Sequence, residues 1–97
     1  MKRNAIWTIT DYRNEPHTKQ AIKDGEEYIP VAEYECGNRT IVIHANNDGE
    51  KGTFGFTWGE DVQTGGDMAG DGKTYYRLGD AKRAAITFDG KVLKSTN

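Results

Sequence analysis

Asp67-Met68-Ala69-Gly70-Asp71-Gly72-Lys73-Thr74 closes on the Gly-Lys-Thr with which phosphate-binding loops end. The first glycine of such a loop would stand at position 67, where this chain has Asp. The residues that follow, Tyr75-Tyr76-Arg77-Leu78, read as a strand, whereas a phosphate loop runs into a helix whose N-terminal N–H groups help to hold the anion. Nucleotide hydrolysis is therefore not expected from this stretch. Asp61, Asp67 and Asp71 supply hard oxygen ligands, but their spacing departs from that of a calcium loop and no glutamate closes the set. Zinc needs about four converging nitrogen or sulfur ligands. The chain has only Cys36, His17 and His44, no two of them close, so neither a metal nor any other cofactor is expected.

Nucleophilic and acid–base arrangements are equally thin. Counting outward from the Gly37-Asn38 turn sets Cys36 beside Arg39 and away from His44, which removes a thiolate–imidazole pair. Cys36 reads as a small buried residue and His44 as a strand-end histidine. Glu33 and Glu35 share one strand face, but general acid catalysis requires a cleft that drives two carboxyl pKa values apart. Charges on a half-exposed strand also deter unwanted edge pairing. An enzyme is not expected.

Binding chemistry remains. Asp11, Glu15, Asp24, Glu26, Glu27, Glu33 and Glu35 make the N-terminal third acidic despite Arg13, Lys19 and Lys23, enough to steer a basic partner. The principal expectation is a small protein-binding module, of the inhibitor or immunity type, that blocks another macromolecule. Its candidate contact residues are Glu33, Glu35, Asp61, Asp67 and Asp71. The alternative is an RNA- or DNA-binding β module in which Tyr75, Arg77, Lys82 and Arg83 stack on bases and neutralise phosphates. In that reading Tyr75 and Arg77 share an outward parity, leaving Tyr76 and Leu78 to the core. A small-ligand pocket lined by Trp7, Phe54, Phe56 and Trp58 is a third reading, opposed by the need of a small domain for those side chains as core.

Composition sets the frame for these sites. With 97 residues the chain is read as one domain with a thin core, in which Trp, Tyr and Phe carry much of the burial. A formal net charge of −2 gives no global attraction to nucleic acid or to anionic lipid. The lone Cys36 makes no intrachain disulfide, no apolar signal core follows Met1-Lys2-Arg3-Asn4, and no stretch has the roughly 18 apolar residues that span a bilayer. A cytoplasmic protein without membrane contact is expected. Self-association through strand edges is left open, with Pro30 and the strand charges opposing it.

The elements that position these residues centre on Thr53-Phe54-Gly55-Phe56-Thr57-Trp58, whose aromatic residues recur at every second position and so share one face of a strand. Before it, residues 4–10 read as a strand, His17–Asp24 as a short helix entered through Pro16 and stopped by Gly25, and residues 27–36 as a strand bulged or edged at Pro30. There Tyr28, Ala32, Tyr34 and Cys36 share a parity. Residues 39–45 follow as a strand and pair with residues 52–58 across Asn46-Asn47-Asp48-Gly49. Residues 59–73 read as a long Gly/Asp-rich loop.

Order resumes with a strand over 74–78 and another over 82–88, which turns through Asp89-Gly90 into residues 91–93 as a tight hairpin, ahead of a polar tail that frays. The expected fold is mainly β, with about seven strands and one short helix. It takes the form of a small twisted antiparallel sheet or partly closed barrel, the alternative being a two-layer α+β arrangement.

Overall fold

The computed structural model describes residues 7–46 and 52–95. Its centre is an open five-stranded antiparallel sheet in which every strand lies beside the next in sequence: β1 (Thr8–Asp11), β2 (Tyr28–Cys36), β3 (Arg39–Asn46), β4 (Thr53–Glu60) and β5 (Met68–Ala69). Helix α1 (Pro16–Lys23) connects β1 to β2, and helix α2 (Leu78–Ser95) ends the described chain. The expected antiparallel sheet with its short helix is present. The sheet does not close, and α2 was not foreseen.

Local chemistry accounts for most of the sheet. Pro16 opens α1, where its missing N–H costs nothing. Gly25, at φ 76°, takes the chain out of the helix in a conformation that a Cβ would disfavour. Gly37, at φ 62°, does the same for the β2–β3 turn. The register then follows: Cys36 lies opposite Arg39, Tyr34 opposite Ile41 and Ala32 opposite Ile43. Across β4, Ile41 faces Trp58 and Ile43 faces Phe56.

The bulge expected at Pro30 is found between Pro30 and Ala32, with Val31 as the extra residue. It corrects the parity expected for β2. Tyr28 and Pro30, before the bulge, share a face with Glu33 and Glu35 after it, while Val31, Ala32 and Tyr34 turn into the core.

Tyr34, Ile41, Ile43, Phe56 and Trp58 form one face of the sheet and pack against Ala81 and Ala85 of α2. Ile41 and Ile43 are almost wholly buried, and each contributes about 1.5–3 kcal/mol relative to exposure. Phe88 meets both Phe56 and Trp58 edge-on, at centroid distances of 5.5 and 6.1 Å.

The C-terminal third requires correction. Residues 82–88 and 91–93 are not strands, and Asp89-Gly90 is not a hairpin turn; all lie inside α2. Ala84, Ile86 and Phe88 do alternate, but Leu78, Ala81, Ala85, Phe88 and Val92 recur at intervals of three and four, and this helical stripe is the one that packs. The 74–78 segment is likewise not a strand. Only Tyr75 bridges to the sheet, exchanging backbone hydrogen bonds of 2.6 and 2.8 Å with Phe54.

The 59–73 segment is not a continuous loop. It contains the end of β4, a 3-10 turn over Val62–Thr64, and β5, whose Met68 pairs with Gly59. The Asn47-Asp48-Gly49 part of the β3–β4 turn and the last two residues of the tail lie outside the described residues, as do residues 4–6 of the first expected strand.

Candidate functional site

Cross-strand partners share a face of a sheet. Opposite the face covered by α2, Thr8 and Thr10 of β1 lie beside Glu35 and Glu33 of β2; these in turn lie beside Thr40 and Val42 of β3, and then Gly59 and Thr57 of β4. His44 and Gly55 continue the row. The imidazole of His44 lies so close over Gly55 that a Cβ there would stand 2.8 Å from Nε2. Tyr28 meets the same imidazole edge-on at 5.3 Å. Burial in this setting holds the His44 pKa below its ordinary value.

Two structures border this face. At the Gly59 end, Val62 and Met68 fold over the glycine. At the Tyr28 end, α1 lies over β2 and leaves a cleft of about 600 Å³. From the helix side the cleft is lined by His17, Thr18 and Ala21, with Tyr12 just before the helix; from the sheet side by Tyr28, Pro30, Glu33 and Val42; and Glu26 joins it from the α1–β2 connection. The Tyr12 hydroxyl donates to Glu33 Oε2 at 2.7 Å. That carboxylate holds the phenolic proton in place and raises the Tyr12 pKa. The second oxygen of Glu33 takes no hydrogen bond from any described residue.

Of the expected protein-contact residues, Glu33 and Glu35 stand together on this open face. Asp61, Asp67 and Asp71 do not converge with them or with one another; among the described residues no three Asp, Glu, His or Cys side chains gather at one point. Asp61, in left-handed backbone at φ 55°, is tied to Asn38 through its own N–H at 2.8 Å and its carboxylate at 3.2 Å. Asp67 is exposed. Asp71 accepts from the Lys73 N–H at 2.9 Å and from the Tyr75 hydroxyl, which pushes the Tyr75 pKa up to about 12.

The four residues of the nucleic-acid reading are also dispersed. Tyr75 packs against the core with its hydroxyl on Asp71, and it is Tyr76, 79% exposed, that faces solvent. The two tyrosines exchange the places expected of them, while Leu78 packs on the core as expected. Arg77 is exposed, Arg83 is paired with Asp80, and the Lys82 ammonium lies over the Tyr34 ring at 5.6 Å. Trp7, Phe54, Phe56 and Trp58 belong to the core against α2.

Cys36 is half-buried and lies against Arg39, whose Nη2 donates to its sulfur at 3.6 Å. His44 lies farther along β3, so the expected separation of thiol and imidazole is found.

The cleft as a unit escaped the sequence reading. Tyr12 and Glu33 are 21 residues apart, and only the pairing of β1 with β2 brings them together. The usable signal was Pro30, whose bulge turns Tyr28 onto the face of Glu33.

No protein-family model matches the chain, and comparison with curated proteins and with solved structures likewise finds no match. No described helix is long and apolar enough to cross a membrane.

Proposed function

We propose that this chain is a non-enzymatic, cytoplasmic protein-binding module, of the inhibitor or immunity type, that engages a basic macromolecular partner through the open face of its sheet. The observation that carries the reading is the position of Glu33 and Glu35, side by side on the sheet face that α2 leaves uncovered and bordered by threonines and Val42. Among the described residues every ion pair joins an arginine to an aspartate, namely Arg13–Asp11, Arg39–Asp89 and Arg83–Asp80. No described lysine or arginine pairs with Glu33 or Glu35, and a complementary potential at an interface raises the association rate and selects among partners.

The test is capture of the complex from cell extract, its resolution by native mass spectrometry, and repetition with Glu33→Lys/Glu35→Lys and with Arg83→Glu. Loss of the partner with the glutamate reversals and its retention with Arg83→Glu supports the reading. A partner held equally by all three proteins removes the two glutamates from the interface.

One observation favours a second reading. Tyr76 is exposed beside Arg77 at the start of a C-terminal segment in which Lys73, Arg77, Lys82, Arg83, Lys91 and Lys94 outnumber Asp80 and Asp89. A segment of this charge would take a single-stranded nucleic acid, with Tyr76 rather than Tyr75 as the stacking ring. Binding that weakens with salt and on Arg77→Ala supports it; salt-independent binding removes the phosphate contacts on which it rests.

A further inference from the structure

The cleft between α1 and β2 combines two features that lie apart in the sequence. Its walls are mostly apolar and aromatic, with Tyr12 and Tyr28 among them, and its charged side chains are Glu26 and Glu33. Among the described residues no lysine or arginine lines it. The chain's buried Asp89 is neutralised by Arg39, whereas Glu33, half-buried and bound by the uncharged Tyr12 hydroxyl, meets no cation among the described residues. A charge drawn partly out of water and left with a vacant acceptor attracts a cation more strongly than an exposed one does. Tyr28 remains 61% exposed at the same cleft, with its ring available to a ligand.

We infer that this cleft is the receptor for an arginine side chain presented by the basic protein partner, with Glu33 and Glu26 binding the guanidinium and Tyr28 packing against its plane. The inference rests on the protein-binding reading above and deepens it by naming the anchor group. Arginine suits the site better than lysine. Its planar head forms two parallel hydrogen bonds to a carboxylate, stacks on an aromatic face, and is more weakly hydrated than an ammonium when it leaves water. A cleft of about 600 Å³ lies within the roughly 300–1,000 Å³ of sites that take a drug-sized ligand, so it has room for the residues flanking the arginine.

The test is an amide-resolved NMR titration of the full chain with acetyl-Gly-Arg-Gly-amide and with its citrulline counterpart, which keeps the shape and loses the charge. Saturable shifts are expected at Thr18, Tyr28 and Val42. Affinity should be at least about tenfold lower for the citrulline peptide, and lower to a similar degree for Glu33→Gln and Tyr28→Ala proteins whose spectra remain dispersed. Absence of shifts, equal binding of the two peptides, or shifts confined to Glu35 and Thr57 overturns the arginine site.

A longer Lys/Arg-rich peptide separates this inference from its foundation. If it binds the native and Glu33→Gln proteins equally but is lost with Glu35→Lys, the open face stands as an interface and the cleft does not. If neither substitution affects it, both readings fall.

Discussion

The indole N–H of Trp58 in β4 donates to Asp89 Oδ1 in α2 at 2.7 Å, and Arg39 in β3 grips the same carboxylate with Nε at 2.7 Å and Nη2 at 3.2 Å. Asp89 is only 3% exposed. Three segments of chain are thereby joined at one buried carboxylate, and the Arg39 guanidinium extends the cluster to Trp7, whose ring centroid lies 5.5 Å away. This cluster ties α2 to the sheet and leaves the opposite face free for the cleft.

Removing that carboxylate strands a guanidinium in a mostly buried position. Asp89→Ala is therefore expected to cost about 3–5 kcal/mol. Trp58→Phe leaves the Arg39–Asp89 pair in place but removes the indole N–H, a hydrogen bond to a charged group worth about 1.5–3 kcal/mol, together with part of the bicyclic ring. Urea unfolding of the two variants checks the order. A cost below about 1 kcal/mol for Asp89→Ala, the ordinary effect of a surface position, would show that Asp89 does not anchor α2.

Gly90 gives an independent test of the same helix. It lies exposed within α2, a Cβ there would meet nothing within 4 Å, and its φ is not positive. Gly90→Ala should stabilise the protein by about 0.5–1 kcal/mol, because alanine gives up less backbone entropy in a helix. In a tight hairpin turn the same change would force a side chain into left-handed backbone and destabilise. The sign of the shift in the unfolding midpoint decides between the two.

His44 predicts an acid-side dependence of stability. Burial lowers its folded pKa below 6.5, so the unfolded chain takes up a proton first as the pH falls. Its contribution is complete above pH 6.5 and declines as the pH drops from there through the lowered folded value. NMR titration of the ring should give a pKa below 6.5, and His44→Gln should flatten this part of the stability profile. A ring that titrates at or above the ordinary value would contradict its packing between Tyr28 and Gly55.

Tyr75 predicts the alkaline counterpart. Its folded pKa, raised by Asp71 from 10.0 to about 12, means that the Tyr75–Asp71 contact contributes fully below pH 10 and is lost as the pH rises through about 12. Absorbance titration should show one tyrosine ionising near pH 12, and Asp71→Asn should bring it down. An unchanged titration in that variant would exclude Asp71 as the cause.

The sheet was legible in the sequence because its signals are local. Alternation in Phe54, Phe56 and Trp58, the left-handed glycine of the Gly37-Asn38 turn, Pro16 at a helix start and Pro30 at a bulge each act within a few residues. Pairing and register from β2 to β4 follow almost without alternatives, since a slip of one residue would move Ile41, Ile43, Phe56 and Trp58 to the wrong face.

The helix α2 and the cleft were decided by tertiary contacts. Residues 82–93 carry both a strand-like alternation and a helical stripe, and Asp89-Gly90 taken alone favours a turn. The choice falls to the helix because that conformation sets Ala81 and Ala85 on the sheet, brings Phe88 against Phe56 and Trp58, and delivers Asp89 to Trp58 and Arg39. Those gains outweigh a local turn preference, and they exist only once β3 and β4 have paired. The cleft has the same origin: Tyr12 and Glu33 acquire a shared chemistry only when β1 pairs with β2 and α1 folds across the face that α2 leaves open.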